Sequence, residues 1–471
     1  MASRLQALVF STLLLCGLAG AAQAQAPGEA QRAQAREILR RVVEMDTSVE
    51  GRRVPEMANY LADQFRAGGF PAGDVHVVPY QDTAALVVRY RGNGSGGRPI
   101  LLIAHMDVVT ARREDWERDP FSFVEENGFF FGRGVYDNKA GLVALVSTFL
   151  QLKAEGYTPS RDLIIAFSGD EETSGATVRD LLANHRALID AEFALNADAG
   201  QGTLDEATNA ATAYSMQTAE KSYASYTLTA RNPGGHSSQP RADNAIFDIA
   251  DAIARVRAYQ FRVMWNDTTI SSFRANGPRV GGEIGQAMTR FAQNPGDRRA
   301  ARILSASPFA VGQIRTTCVP TMLSGGHADN ALPQRATVTV NCRIFPGVSV
   351  EEIRTELQGV VGESVEVAPL DTYYSSDASA LRPDVLAAVT AAVRANYPNV
   401  EVVPAMSAGA TDGVFYRAAG IPTYGVDGLF IRDSDDFSHG LNERVPVQSF
   451  YDNLTHWRVL ITALAGAPPG P

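Results

Sequence analysis

A histidine and an aspartate stand close together at the end of an apolar run, LLIAHMDVV. His105 is one of seven histidines in the chain, and Asp107 follows it by two residues. If the run is a strand, the two side chains share a face, so the carboxylate could hydrogen-bond the imidazole and set its tautomer for a metal. Taken alone, the pair is more typical of a histidine that is satisfied at a strand end.

Three consecutive acidic residues follow another apolar run, in IIAFSGDEETSG. Asp170, Glu171 and Glu172 therefore stand at the carboxyl end of a predicted buried strand, where open α/β sheets bind ligands. Clustered like charges are costly there unless a cation neutralises them. A solvated loop is the alternative, and it explains this position less well.

Three further residues complete a set of metal-ligand types. Asp137 lies in a glycine-bounded turn before a helix, in FGRGVYDNKAG, where it is equally typical of a helix cap. Asp198 ends an apolar run in ALNADAG, and His439 lies in FSHGLNE near the far end of the chain. With His105 and Glu172 they form a nitrogen and oxygen set suited to two divalent zinc-like ions that share one bridging carboxylate.

The elements that must position these residues alternate between strand and helix. The apolar runs Ile100–His105, Leu163–Ser168 and Phe193–Asn196 indicate buried parallel strands, and residues 141–155 a covering helix. Residues 31–65 also have helical spacing. This pattern predicts an α/β sandwich.

A second pattern begins near residue 219. Strands at 223–231, 317–323, 336–345 and 365–368 and helices at 244–259 and 350–361 give the order β-α-β-β-α-β, a ferredoxin-like unit. A polar insertion with one or two helices interrupts it at 266–315. A helix at 383–396 and a strand at 422–426 again show the strand and helix alternation of the first part of the chain. This predicts one domain inserted into another. We place catalytic segments at 27–216 and 371–466, the inserted domain at 217–370 and a disordered tail at 467–471.

Composition excludes several classes. The 471 residues are 45% hydrophobic and 20% charged, enough for a large core and more than one domain. The net charge of -10, with scattered basic residues, argues against nucleic acid as a partner. The first 24 residues resemble a cleaved signal peptide, and no later run approaches the roughly 20 apolar residues of a membrane span. We expect an exported, periplasmic or secreted protein; a lipoprotein attached through Cys16 is the alternative, although Leu15 fits it poorly.

Two cysteines remain after the signal peptide, Cys318 and Cys342. They are too few for a disulfide scaffold and too far apart for a metal knuckle, so any metal must be held by histidines and carboxylates. They lie at equal distances from Asn330, which centres a predicted hairpin. In an exported protein they could therefore form a cross-strand disulfide.

Seven segments in chain order carry a resemblance to a known family: HMDVV, GRGVYDNKAG, SGDEETSG, NADAG, GGHSSQP, GGHADNALP and SHGLNE. Over residues 35–465 the chain resembles the zinc metallopeptidases that include aminoacylase, acetylornithine deacetylase, succinyl-diaminopimelate desuccinylase and carboxypeptidase S. The long insertion is closest in style to carboxypeptidase S-like members. The resemblance implies a di-zinc aminopeptidase-like catalytic domain with an inserted ferredoxin-like lid and dimerisation domain.

The resemblance also implies a role for each candidate metal ligand. Asp137 would bridge two Zn²⁺ ions, with Co²⁺ as a substitute. His105 and Asp198 would complete one site, and Glu172 and His439 the other.

Catalysis and substrate binding are implied by the same motifs. Asp107 would orient His105, and Glu171 would be the general base that takes a proton from a water bridging the zinc ions. The remaining residues would act on the substrate: His236 would stabilise the oxyanion, in such families often from a partner subunit in a homodimer, while Asn330, Arg343, Gly409 and Thr411 would contact the substrate.

Arg343 suits a substrate carboxylate because its guanidinium can donate two parallel hydrogen bonds. His236 and Asn330 also have an ordinary interpretation as turn residues.

The implied activity is hydrolysis of an amide bond beside a free carboxylate, in a small peptide or an N-acyl amino acid. A catalytically inactive binding module is one alternative, although no ligand or base is missing. Two-metal cleavage of a phosphoester is another alternative. Binding the phosphate would require more cationic groups than Arg133, Lys139 and Arg343.

Overall fold

The computed structural model describes residues 26–466. The predicted signal peptide and the predicted tail at 467–471 lie outside the described residues. Among the helices of the described part, none combines the length and the apolar character that crossing a membrane requires.

Within residues 26–466 the chain forms nineteen strands and thirteen α-helices. The strands are β1 (Val75–Tyr80), β2 (Thr83–Tyr90), β3 (Ile100–His105), β4 (Val124–Glu126), β5 (Phe129–Phe131), β6 (Leu163–Ser168), β7 (Phe193–Asn196), β8 (Gln201–Leu204), β9 (Ala211–Glu220), β10 (Ser222–Arg231), β11 (Gly235–His236), β12 (Thr317–Gly325), β13 (Ala331–Leu332), β14 (Arg335–Ile344), β15 (Val365–Pro369), β16 (Val402–Ser407), β17 (Thr423–Gly425), β18 (Phe430–Ile431) and β19 (Arg444–Pro446). The helices are α1 (Glu29–Val43), α2 (Val54–Ala67), α3 (Ala140–Ala154), α4 (Ala176–Asn184), α5 (Arg186–Ile189), α6 (Ala245–Ala258), α7 (Asp267–Val280), α8 (Gly282–Gln293), α9 (Arg298–Ala306), α10 (Val350–Val361), α11 (Pro383–Asn396), α12 (Gly413–Ala418) and α13 (Val447–Ala465).

The large sheet has the strand order β1-β2-β6-β3-β7-β17-β9-β8-β18, with β16 beside β9. Its centre confirms the predicted buried parallel strands, because β3 pairs in parallel with both β6 and β7. The sheet is mixed, since β2 and β9 run antiparallel to their neighbours β6 and β8.

Successive side chains of the central strands point alternately into two hydrophobic cores, one on each face of the sheet. Leu102 faces the larger core, which includes residues of α1, α2, α3, α11 and α13, and Leu101 and Ile103 face the opposite core under α4 and α5. Each strand is thus apolar on both faces, as parallel strands covered on both sides require. Polar groups are left to the strand ends, which is where the candidate site lies.

The second sheet has the order β12-β14-β10-β15, and each neighbouring pair is antiparallel. α6 and α10 contribute to its core, and the chain order is the predicted β-α-β-β-α-β. We call residues 222–369 the lid. β9 in the large sheet ends at Glu220 and β10 in the lid begins at Ser222, so the boundary predicted at residue 217 falls inside β9.

The predicted cross-strand disulfide is confirmed. Cys318 on β12 lies directly opposite Cys342 on β14, and their sulfur atoms are bonded. The bond ties the edge strand of the lid to the strand that carries Arg343.

Two predicted elements differ in the structure. The segment 31–65 is two helices rather than one. Asp46 accepts hydrogen bonds from the N–H and hydroxyl of Ser48 and so forms a turn, after which a new helix begins at Val54 with Pro55 in its first turn. The insertion holds three α-helices, α7 to α9, rather than one or two. Their own small core includes Phe273, Phe291 and Leu304.

Candidate metal centre

His105 ends the fully buried strand β3, which places its imidazole at the carboxyl edge of the parallel strands. Its Nδ1 lies 3.0 Å from the main-chain oxygen of Asp107, and a hydrogen bond there leaves Nε2 free to bind a metal. Nε2 lies 3.0 Å from Oδ1 of Asp137 and 3.2 Å from Oδ1 of Asp198.

Asp137 lies between two histidines. Its Oδ1 faces His105, and its Oδ2 lies 3.3 Å from Nε2 of His439. The same nitrogen of His439 lies 2.9 Å from Oε2 of Glu172. One carboxylate therefore turns each oxygen toward a different group of ligands, which is the arrangement that bridging requires.

The structure brings all five predicted metal ligands together. Ligand atoms of His105, Asp137 and Asp198 lie within 4.8 Å of one another, and the same holds for Asp137, Glu172 and His439. These are nitrogen and carboxylate donors of the kind that zinc accepts, and the two sets share Asp137. The residues present thus fit a pair of divalent cations.

Asp107 has a wider structural role than orienting one histidine. Its Oδ1 lies 3.6 Å from Nδ1 of His105, which is long for a hydrogen bond. The carboxylate instead accepts the main-chain N–H groups of Glu171, at 3.1 Å, and Glu172, at 3.0 Å. The main chain of Asp107 holds the histidine and its side chain holds the two glutamates.

The pKa values show how strongly the charges of this cluster interact. Hydrogen bonds to Asp137 and Glu172 raise the pKa of His439 to about 10. Burial opposes protonation of His105, but the carboxylates around it, Asp198 foremost, raise its pKa well above the ordinary value. Divalent cations would replace these protons, since metal binding to such ligands releases them.

Burial has the opposite effect on the carboxyl groups. It raises the pKa of Asp198 to about 6, and it raises the pKa of Glu171 well above its ordinary value, with Asp198 adding to the effect. A carboxyl group with a raised pKa that lies beside metal ligands is suited to exchanging a proton.

Glu443 is a residue of the site that the sequence interpretation missed. Its side chain is buried, and Oε1 accepts the main-chain N–H groups of Tyr136 and Asp137, both at 2.9 Å. Oε2 accepts from the N–H of Gly134 at 2.8 Å and from Arg133 at 2.7 Å. Glu443 therefore fixes the turn that presents Asp137, and its position four residues after His439 in SHGLNE was the available signal.

A pocket of about 470 Å³ opens beside the metal ligands, and the predicted substrate residues Gly409 and Thr411 line it. The N–H and hydroxyl of Thr411 both donate to Oε2 of Glu220, each at 3.0 Å. The fully buried Glu220 also pairs with Arg417 at 2.5 Å. Sequence reasoning missed this support for the loop.

The three predicted lid residues do not line this pocket. Arg343 approaches it, because Nη1 donates to the main-chain oxygen of Ala408 at 3.2 Å. His236 is exposed, with its Nδ1 3.1 Å from the N–H of Ser238, and Asn330 lies beside it, since its main-chain oxygen accepts from Ser237. Over the described residues, His236 and Asn330 therefore do not reach the pocket of their own chain.

A mixed sheet whose strand ends, together with adjoining turns and loops, present two histidines and a set of carboxylates is the framework of a metal-dependent hydrolase. Residues 101–463 match the model of Peptidase family M20/M25/M40, and the chain belongs to that family. It is an enzyme of the hydrolase class, related to peptidases and aminoacylases.

Individual relatives agree with this assignment. The chain is 28% identical over 375 residues to the N-fatty-acyl-amino acid synthase/hydrolase PM20D1 of Homo sapiens, covering 76% of this chain and 73% of the relative. It is 26% identical over 386 residues to the probable carboxypeptidase S-like 2 of Dictyostelium discoideum, covering 78% and 72%. The M20 family metallo-carboxypeptidase Sso-CP2 of Sulfolobus solfataricus shares the fold with a TM-score of 0.67 at 18% identity, covering 92% of this chain and 99% of that one.

Proposed function

We propose that this enzyme hydrolyses an amide bond next to a free carboxylate, in a small peptide or an N-acyl amino acid, with two Zn²⁺ ions per chain. The observation that carries the proposal is the position of Asp137, whose two oxygens face His105 at 3.0 Å and His439 at 3.3 Å. When bound, the two cations would polarise the scissile carbonyl and lower the pKa of water.

Glu171 is the general base in this proposal. It lines the pocket beside the ligand groups, and its main-chain N–H is held by Asp107. Its buried carboxyl group has a raised pKa, so it can take a proton from water and return that proton to the leaving amine.

Arg343 is the proposed anchor for the substrate carboxylate. Its guanidinium lies 4.9 Å from the ring centroid of Tyr223 and donates to Ala408, next to the loop that lines the pocket. The two relatives above are named for N-fatty-acyl-amino acids and for carboxypeptidase action, and a substrate with a free carboxylate is consistent with both names.

A homodimer through the lid belongs to the same proposal. β12 is an edge strand of the lid, paired only with β14 among the described strands, and the side chains of Met322 and Leu323 are 70% and 67% exposed. Pairing with the same edge of a second copy would cover these apolar side chains and the unpaired main-chain groups. It would also give the exposed His236 a route into the site of the partner subunit.

Export from the cytoplasm is also proposed. It is supported by the apolar segment at the start of the sequence and by the Cys318–Cys342 bond, because disulfides persist in oxidising compartments.

Removal and replacement of the metal tests the proposed function. Chelation should abolish hydrolysis of N-acyl amino acids and dipeptides, and zinc or cobalt should restore it. Metal analysis should find two zinc ions per chain, and loading them should raise the melting temperature because cations bind the folded site. Full activity in a preparation shown to be free of metal would overturn the proposal.

A further inference from the structure

The pocket beside the metal ligands is lined by polar side chains together with alanines and glycines. Besides the candidate ligands it is lined by amide, hydroxyl and carboxyl side chains, among them Gln201, Ser215, Gln217 and Asp427. Among the described lining residues there is no Lys, Arg, Leu, Ile, Val, Phe or Trp, and Met406 and Tyr136 are the large side chains with apolar surface. Such a wall offers a long alkyl chain few large apolar side chains to pack against, and affinity for alkyl groups depends on burying them against apolar surface.

Asp427 is a carboxylate in this wall that the proposed reaction does not use. It follows β17, is only 5% exposed and lines the pocket. Its Oδ1 accepts from Nδ2 of Asn453 at 2.8 Å and from Nε1 of Trp457 at 3.2 Å. Within residues 26–466 no side chain donates to its Oδ2, so one oxygen of a nearly buried carboxylate remains for a ligand.

Oδ2 of Asp427 is not among the fully buried side-chain atoms that lack a partner in the described chain, so it is open to the pocket, where a donor can reach it. Burial raises the pKa of Asp427 to about 7, and a nearby positive charge would lower it again. Asp436, exposed on the same pocket, adds a second negative charge, and its Oδ1 accepts from the N–H and hydroxyl of Ser438. Among the described residues that line this pocket, no Lys or Arg side chain pairs with Asp427 or Asp436.

We propose that Asp427 binds a protonated amine of the substrate, so that the enzyme acts on dipeptides with a free amino group in preference to N-acyl amino acids. The inference rests on the proposed function, which supplies the amide hydrolysis and the anchoring of the carboxylate by Arg343. A charged hydrogen bond at a nearly buried site corresponds to a preference of about 10- to 100-fold in kcat/KM.

The test compares two substrates that share one scissile bond. Alanyl-alanine and N-acetyl-alanyl-alanine share the scissile amide and the carboxylate, and they differ in the acetyl group, which makes the amino nitrogen a neutral amide. The zinc-loaded wild-type enzyme should cleave the free dipeptide with a kcat/KM about 10- to 100-fold higher. This comparison uses the wild-type enzyme alone, so its result does not depend on whether a variant folds.

Asp427→Asn keeps the shape and an oxygen that can accept from Asn453 and Trp457, but it removes the charge. The ratio between the two substrates should fall toward one, mainly through slower cleavage of the free dipeptide. Asp452→Asn is the matched control: Asp452 lies on the same helix as Asn453, accepts from Tyr397 at 2.9 Å and Gln448 at 2.8 Å, and does not line this pocket. It should keep the wild-type ratio.

Two results would overturn the role of Asp427 while leaving the proposed function intact. One is equal or faster cleavage of the acetylated substrate by the wild-type enzyme. The other is an equal loss on both substrates in Asp427→Asn. If the zinc-loaded enzyme cleaves neither substrate nor any N-acyl amino acid, the proposed function itself fails, and the inference fails with it.

Discussion

At the scale of single residues, two adjacent glutamates have different surroundings in the site. Glu171 and Glu172 are adjacent, and both main-chain N–H groups donate to the carboxylate of Asp107. The side chain of Glu172 reaches His439 at 2.9 Å, while burial and Asp198 raise the pKa of Glu171. The turn therefore directs Glu172 to the metal-ligand group, and in the proposed reaction it leaves Glu171 for proton transfer.

Substitutions at these two positions should separate metal binding from catalysis. Glu172→Ala should lower the zinc content per chain, because one ion loses an anionic ligand. Glu171→Gln keeps the shape but cannot accept a proton, so zinc content should stay near wild type while kcat falls by about 100-fold to 10,000-fold. Zinc per chain and kcat are measured on both variants. If Glu171→Gln loses the metal and Glu172→Ala keeps it, the two roles are exchanged.

At the scale of elements, the C-terminal helix α13 supports the segment that carries Asp427. Asn453 and Trp457 of this helix bind the carboxylate, and His456 lies 2.9 Å from the main-chain oxygen of Val426 through Nε2. His456 is fully buried, and burial lowers its pKa to about 4. A neutral His456 thus links α13 to the residue that directly follows β17.

Acid should therefore destabilise this packing through His456. Because the pKa is about 4 in the folded chain and about 6.5 in the unfolded chain, the unfolded state binds the proton first as pH falls. This histidine should reduce the free energy of unfolding by about 1.4 kcal/mol for each pH unit between pH 6.5 and pH 4. His456→Gln should show a shallower loss over that range, measured by urea unfolding, while the exposed His327→Gln serves as control. Parallel pH profiles for wild type and His456→Gln would contradict the assignment.

At the scale of the whole molecule, the three predicted lid residues lie outside the pocket of their own chain. Arg343 already contacts Ala408 near the pocket, whereas His236 is exposed on the lid and does not line it. The proposed homodimer resolves this difference, because the lid of one copy can complete the site of the other.

Mixing two inactive variants tests this exchange. Neither His236→Ala nor Glu171→Gln should be active as a homodimer. In a mixed dimer, the chain that retains Glu171 receives His236 from the other chain, so one of the two sites is complete. An equal mixture that exchanges freely should recover about one quarter of wild-type activity, because half of its dimers are mixed. Measurement after co-refolding or co-expression with two affinity tags decides the question.

The apolar edge of β12 supplies the control for that experiment. Met322→Glu combined with Leu323→Glu should convert the dimer to a monomer in light scattering and abolish the recovery, because charged side chains would be buried at the interface. Phe309→Glu, at a side chain that is 74% exposed on the helical insertion, should remain dimeric. A monomeric wild-type chain, or no recovery in a confirmed mixed dimer, would contradict the exchange of His236.

The sequence by itself determined the ligand types, the elements that carry them and the family. The positions of His105, which ends β3, and of Asp198, two residues after β7, were predictable because an apolar run that stops at a polar residue reflects local periodicity. The helices α10 and α11 begin and end at the predicted residues, since a serine cap precedes the first and a proline starts the second.

The tertiary structure alone decided which atoms meet. The register of the lid hairpin is an example: near the turn Ser324 pairs with Thr337, and a bulge between Pro320 and Met322 then shifts the register by one, so that Cys318 faces Cys342. Without the bulge Cys318 would face Arg343, because a shift of one residue reverses every side chain on a strand.

The same limit applies to Glu443 and Asp427. Spacing from His439 hints at Glu443 and nothing in the pattern marks Asp427, and each acquires its role only because distant segments bury it beside Asp137 or beside Asn453. Residue type and spacing encode what a side chain can do locally, whereas burial and the approach of remote donors are set by packing between elements, and these determine which carboxylates bind a metal, hold a turn or face a substrate.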